Sequence, residues 1–210
     1  MEPYSKISTK SLTKNYPIFV QSPEGDGMEF DMKIAILLAD GFEEVEALTP
    51  IDLLRRANLD LDIIGIEKEL ITGAHGIKVF ADIISCDADA SLYNAVILPG
   101  GMPGTLNLDK SDFTDRILNS VASKNGRIAA ICAAPLILGK RDLLKGKEAI
   151  CYPGFEGELI GASLSEKSVV TDGLITTAKG MGVALDFAKE LVALFCGEET
   201  MLRLSEAIME

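Results

Sequence analysis

The chemistry of this 210-residue chain is concentrated in three short stretches that each follow an apolar run. The clearest is Cys132-Ala133-Ala134-Pro135, between the apolar run 127–131 and a helical stretch, 136–140. A cysteine flanked by small residues at a strand-to-helix turn has the pattern of a nucleophile elbow. A thiol facing a helix N-terminus is expected to hold its anion more readily, which lowers its pKa. The Ala133 N–H lies at the same helix end and is free for a developing oxyanion. Pro135 suits an early helical position because no N–H bond is lost there.

The second stretch, Pro99-Gly100-Gly101-Met102-Pro103-Gly104, follows the run 95–98. Adjacent glycines let the backbone approach a ligand closely and aim peptide N–H groups into a site. Their spacing fits neither G-x-G-x-x-G nor a phosphate loop. The third stretch is Ala39-Asp40-Gly41-Phe42-Glu43-Glu44-Val45-Glu46, after the run 33–38. Glu43 and Glu44 fall in the first helical turn, where the dipole favours negative charge. Glu46 lies deeper and can point back to the sheet end, where desolvation would favour its neutral, proton-donating form. Spacing alone leaves three plainer alternatives open: a packed core thiol, an ordinary glycine turn and one more dipole-complementing acid.

Composition narrows the remaining chemistry. The chain holds a single His, no Trp and four Cys. One imidazole cannot build a histidine-based zinc or di-iron centre, so a His-dependent reaction must use His75 or a partner's residue. His75 sits between glycines in Gly73-Ala74-His75-Gly76, a turn expected to be exposed and away from any strand-to-helix junction. Without a His base, a carboxyl such as Glu46 is the natural acid–base partner of Cys132. Cys86, Cys151 and Cys196 form no C-x-x-C pair and are expected to be structural. Such scattered thiols suit a reducing cytoplasm. With 20 basic against 32 acidic residues, net −12, the chain lacks a nucleic-acid footprint. Its apolar runs are too short to span a bilayer.

These residues need a frame that brings strand ends together. Residues 1–31 are polar, without sustained periodicity, and are expected to be a disordered leader or an upstream start before Met32, with 32–210 as one domain. From there, apolar runs at 33–38, 61–66, 95–98 and 127–131 read as strands buried on both faces of a parallel sheet. Helical periodicity covers 43–57, 112–123, with Gly126 as a C-cap, and 181–195. Two hairpins are expected, 70–72 with 77–80 and 168–171 with 174–177, the latter turning at Asp172-Gly173. The pattern is that of an α/β, doubly wound sandwich, with a mostly parallel sheet and a small β-hairpin addition. Ligands in such folds sit beyond the carboxyl ends of the strands.

The segments MKIAILLADGFEEVEALTPIDLLRRA, AVILPGGMPG, RIAAICAAPLILG and TDGLITTAKGMG, in this order and spacing, resemble the ThiJ/PfpI family. Within it, the match is to the branch of the parkinsonism-associated protein deglycase and its bacterial relatives. The resemblance implies a flavodoxin-like sandwich related to class I glutamine amidotransferases, usually a homodimer. It implies a reactive cysteine at Cys132, a protonated glutamate partner at Glu46, and backbone donors at Gly101 and Ala133. It places Arg56 near the site entrance at the dimer interface and His75 in a hairpin near that interface. Several members carry a His before a Pro close to the cysteine; here Tyr152 stands there, in Cys151-Tyr152-Pro153. A Cys–His–acid peptidase triad therefore does not fit.

By this resemblance the chain is expected to be a cofactor-independent cysteine enzyme acting on a small aldehyde or glycated substrate. Methylglyoxal or glyoxal would become a hydroxy acid, or glycated proteins and nucleotides would be released. The alternatives are a redox sensor or chaperone using the same cysteine, and a role in the thiamine (thiazole phosphate) pathway. No metal or organic cofactor and no membrane is required.

Overall fold

Four of the apolar runs form the parallel centre of one sheet. The structure, a computed structural model, describes residues 32–210. The expected leader, 1–31, lies outside the described residues. Strand β1 (Lys33–Leu38) leads into α1 (Glu44–Arg56) and β2 (Asp60–Gly65). The hairpin β3 (Leu70–Thr72) and β4 (Lys78–Phe80) follows, then the two-residue β5 (Ile83–Ile84). Next come β6 (Ala95–Leu98), α2 (Gly104–Asp109), α3 (Asp112–Ser123), β7 (Arg127–Ile131) and the five-residue α4 (Pro135–Gly139). The chain continues through β8 (Glu148–Ala149), β9 (Ser163–Leu164), β10 (Val169–Asp172), β11 (Ile175–Ala178), α5 (Ala184–Cys196) and α6 (Glu198–Ala207).

The main sheet runs β10-β11-β7-β6-β1-β2-β5, parallel except for β10 against β11. Strand β1 therefore lies between β2 and β6, and the chain reverses its direction of travel across the sheet there. That reversal opens a crevice at the carboxyl ends of β1 and β6. The architecture is the expected flavodoxin-like, doubly wound sandwich.

Both faces of the sheet are buried. Ile34, Ile36 and Leu38 pack with Ile51 and Leu54 of α1 and with Phe187, Leu191 and Leu204 of the last two helices. Ala35 and Leu37 face Leu108, Phe113, Ile117, Val121 and Leu136 on the other side. Apolar area removed from water on both faces is what holds the strands in place.

Several local details depart from expectation. The second hairpin turns at Gly173-Leu174, because Asp172 pairs with Ile175 and its carboxylate accepts from the Glu148 N–H at 2.9 Å. Gly126 is not the left-handed cap of α3: Asn125 takes that conformation, at φ 54°. The Asn125 and Gly126 N–H groups then close on the Ala122 and Val121 carbonyls, a Schellman arrangement. Gly126 is required for another reason, since a Cβ there would meet the Asn94 carbonyl at 2.2 Å. Helix α5 begins after a 3₁₀ turn at Met181–Val183, and the elements α2, α6, β5, β8 and β9 had no clear sequence signal. Helix α6 buries only Leu204, so it has little apolar period to announce it.

Candidate active site

Helix α1 presents the acid. Glu43 is its N-cap, in extended conformation, and its carboxylate accepts from the Glu46 N–H at 2.7 Å. Such a cap satisfies one of the orphan donors of the first turn and orients the residue that carries it. Pro50 lies inside the helix and leaves the Glu46 carbonyl without its usual i+4 donor. The Glu46 side chain is 1% exposed and points back over the sheet end, where Oε2 accepts from the Gly100 N–H at 3.0 Å. A Cβ at Gly100 would lie 2.6 Å from Glu46 Oε2 and 2.7 Å from Cys132 Cβ, so only glycine lets the three residues meet.

The β7–α4 turn presents the thiol. Cys132 takes φ 65°, a left-handed conformation that costs a non-glycine residue of the order of 1–3 kcal/mol. It is held there from both sides: its N–H donates to the Ala178 carbonyl at 2.9 Å, and its carbonyl accepts from Tyr152 N–H at 2.7 Å. The elbow expected from the sequence is present, including Pro135 at the start of α4. The Ala133 and Gly101 N–H groups both act on the sulfur, and Glu46 hydrogen-bonds it. Gly101 adopts φ 92° with its Cα packed on the Glu43 and Gly41 backbone, which leaves no room for a side chain.

The expected low thiol pKa is overturned. Burial pushes the Cys132 thiol up to about 12, the charge and hydrogen bond of Glu46 add to the rise, and the Ala133 and Gly101 N–H groups only oppose it. Helix α4 is too short to supply a strong dipole, and the carboxyl beside the sulfur outweighs it. Glu46 moves the other way from an ordinary acid. Burial pushes its carboxyl up to about 7, against its hydrogen bond with Cys132, and the Glu43 charge reinforces the rise. The pair thus sheds its first proton near neutrality and shares one negative charge above that point.

Two further residues complete the mouth. A Cβ at Gly180 would lie 3.9 Å from both Cys132 Sγ and Glu46 Oε1 and 3.3 Å from Tyr152 Cδ2. Gly180 therefore lets the β11–α5 connection pass close over the pair, beside the half-exposed Tyr152. The sequence held Gly180 in TDGLITTAKGMG and Gly100 in its Gly-Gly pair, but neither residue type carries a side chain to signal a role.

His75 and Arg56 are placed differently from Tyr152. His75 is exposed, yet it does lie at a strand-to-helix junction: its N–H donates to Glu44 Oε1 at 2.7 Å and Nδ1 lies 2.8 Å from Oε2. Glu44 is 4% exposed, so it anchors the hairpin turn instead of merely complementing the dipole. Among the described residues, Glu43, Glu44 and His75 are the one group close enough to share a metal ion. Their donors are already engaged with one another and with the Glu46 N–H, which fits an ion pair. Arg56 lies at the far end of α1, about 15 Å along the axis from Glu46. There it pairs with Asp52 at 2.7 Å, so within one chain it is not brought to the thiol. Cys151 is buried, Cys196 partly so and Cys86 exposed; all three are free. No helix of the described residues is long and apolar enough to cross a membrane.

Comparison with known proteins identifies the family and the fold. Residues 32–194 match the model of the DJ-1/PfpI family. The chain is 30% identical to the Drosophila melanogaster protein dj-1beta over 83% of its length, covering 95% of that relative. It is 34% identical to DJ-1 homolog B of Arabidopsis thaliana over 84% of its length, but spans only 41% of that longer protein. A crystal structure of a DJ-1 superfamily protein from Salmonella typhimurium superposes with TM-score 0.80 at 31% identity, covering 84% of this chain and 97% of that one. Toxoplasma gondii DJ-1 in an oxidized form gives 0.81 at 28% identity, covering 85% and 98%.

Proposed function

The chain belongs to the DJ-1/PfpI family, and on that premise we propose that it is a cysteine enzyme for reactive 2-oxoaldehydes. The observation that carries this is one arrangement: a buried carboxyl titrating near neutrality against a thiol that also faces two peptide N–H groups. A neutral thiol is a poor nucleophile, and an adjacent base removes that handicap. Ionised Glu46 accepts the thiol proton as Cys132 Sγ bonds to the aldehyde carbon. The carbonyl electrons move to oxygen, whose charge the Gly101 and Ala133 N–H groups hold until Glu46 returns the proton.

Glu46 then removes the hydrogen on that carbon as a proton, giving an enediolate; the hydroxyl proton passes from the first oxygen to the second, and Glu46 delivers its proton to the neighbouring carbon. The product is a 2-hydroxy thioester on Cys132. Water adds to it, the hydroxy acid leaves and the thiol is restored. Overall, methylglyoxal and water become lactate, with no external oxidant or reductant. The same attack on glycated thiols or amines would release them. We place the working form as a homodimer in the cytoplasm, with Arg56 near the partner's site entrance.

The test is lactate production from methylglyoxal by the purified chain. Turnover that disappears in Cys132→Ala and falls with Glu46→Gln supports the proposal; a wild-type protein without turnover removes it. A second reading, a thiol sensor that hydrogen peroxide oxidises to a sulfinic acid, draws on the same N–H pair and on the partial exposure of Cys132. The raised thiol pKa weighs against it, because the thiolate is the form that peroxide attacks. Absent turnover with rapid, stoichiometric oxidation at Cys132 would favour the sensor.

A further inference from the structure

We propose that His75 is a positioning residue, whose ion pair with Glu44 clasps the β3–β4 turn to the first turn of α1 and so holds Glu46 against Cys132. The inference rests on the reading of Cys132 and Glu46 as the reacting pair. The β1–α1 connection is gripped from two sides. On one side, the Glu43 N–H donates to the Gly100 carbonyl at 2.9 Å and the Gly104 N–H to the Gly41 carbonyl at 3.1 Å. On the other, the Gly41 N–H donates to the Thr72 carbonyl and the Ala74 N–H to the Phe42 carbonyl, both at 2.8 Å. The hairpin side is closed by the two bonds from His75 to Glu44. Gly73 permits this approach, since a Cβ there would lie 2.4 Å from Glu44 Oε1.

An exposed ion pair ordinarily contributes little. This one is asymmetric: the imidazole is exposed, but the carboxylate it faces is buried. A buried carboxylate that loses its cation must take up a proton or swing toward water. Glu44 lies two residues before Glu46 and next to the Glu43 cap, so its movement disturbs the turn that orients the acid. Apart from the thiol itself, the Glu46 carboxyl is gripped by the Gly100 N–H, with further support from the Met181 peptide.

The clasp also responds to pH. The hydrogen bond and charge of Glu44 raise the His75 pKa above 6.5, with a smaller contribution from Glu43. Burial raises the Glu44 carboxyl, but its two bonds from His75 outweigh that and leave it below its ordinary value. A raised imidazole pKa means that the ion pair's contribution is complete at low pH and is lost as pH climbs through that pKa. The lowered Glu44 value sets the acid limit, where the contribution fades as the carboxyl protonates. The ionisable groups facing Glu46 itself are Cys132 and Glu43.

Because the chain has one histidine, its imidazole gives one set of ring-proton signals in NMR, and its titration is unambiguous. The raised pKa should return to near 6.5 in Glu44→Gln. The second readout is the pH profile of Cys132 alkylation by iodoacetamide, which needs no turnover. In His75→Ala the inflection due to Glu46 should fall by about half a pH unit or more as the carboxyl becomes better solvated. His75→Asn, which keeps a donor at the Nδ1 position without the charge, should restore part of that shift. Unchanged alkylation profiles in folded His75→Ala and Glu44→Gln would overturn the positioning role. A wild-type profile that ignores Glu46→Gln would instead overturn the reading of the reacting pair, and the positioning role with it, while the imidazole titration still reports the ion pair.

Discussion

The two ends of helix α1 carry charge under opposite conditions. At its N-terminus, Glu44 and Glu46 are 4% and 1% exposed, and each is held by named donors from another part of the chain. At its C-terminus, Arg55 and Arg56 pair with Asp82 and Asp52 on the surface. In water those surface charges are solvated whether paired or not, so their partners are replaceable. In the sheet-end crevice no solvent compensates, and a carboxyl must be protonated, paired or bonded. That difference turns Glu46 into a group titrating near neutrality.

The contrast can be broken most forcefully at Glu46. Glu46→Gln is expected to cut methylglyoxal turnover by roughly 10²–10⁴-fold, the usual weight of a positioned acid–base group. In the wild type, turnover should rise as pH passes about 7, when Glu46 ionises and can accept the thiol proton. That limb should vanish in the variant, and a kcat/KM profile that keeps it would assign the inflection to another group.

Gly100→Ala comes next, because its Cβ falls on the carboxyl and on Cys132 together. Overpacking of this kind costs about 1–3 kcal/mol, read by denaturant unfolding, and turnover should fall with it. An unchanged midpoint would mean that the strand end yields easily.

Glu44→Gln should cost about 1–3 kcal/mol of stability at neutral pH, since it weakens a buried, charge-assisted contact. The deficit should shrink in acid, as the wild-type Glu44 itself becomes protonated and loses the pair. A deficit that is the same at all pH values would show that its charge plays no part. At the other end, Arg56→Ala should change stability by less than about 0.5 kcal/mol. Turnover lost at unchanged melting temperature would then place Arg56 at a partner's site instead of its own.

Much of the frame was legible because its signals are local. The apolar runs at 33–38, 95–98 and 127–131 became β1, β6 and β7 at their expected bounds, since a strand buried on both faces needs no partner to declare itself. The Cys132 turn was legible for the same reason, as small residues and a proline mark it within four positions. Helix α6 and the short strands β5, β8 and β9 were not, because each is set by what it packs against. The Tyr152 position was readable as a missing imidazole, yet its backbone bond to Cys132 was not.

The sequence by itself determined the doubly wound α/β class, the elbow and the scarcity of histidine that leaves a thiol and a carboxyl to do the work. Only the tertiary structure decided their protonation. A helix end is expected to lower the pKa of a thiol, but here burial and the Glu46 carboxyl raise it to about 12. Protonation depends on desolvation and on charges a few ångströms away, and both are set by chain segments distant in sequence. The same reasoning separates the two glutamates of one helical turn. Glu44 is drawn below its usual range by His75 and Glu46 is pushed up to about 7 beside Cys132, a difference that spacing along the chain does not contain.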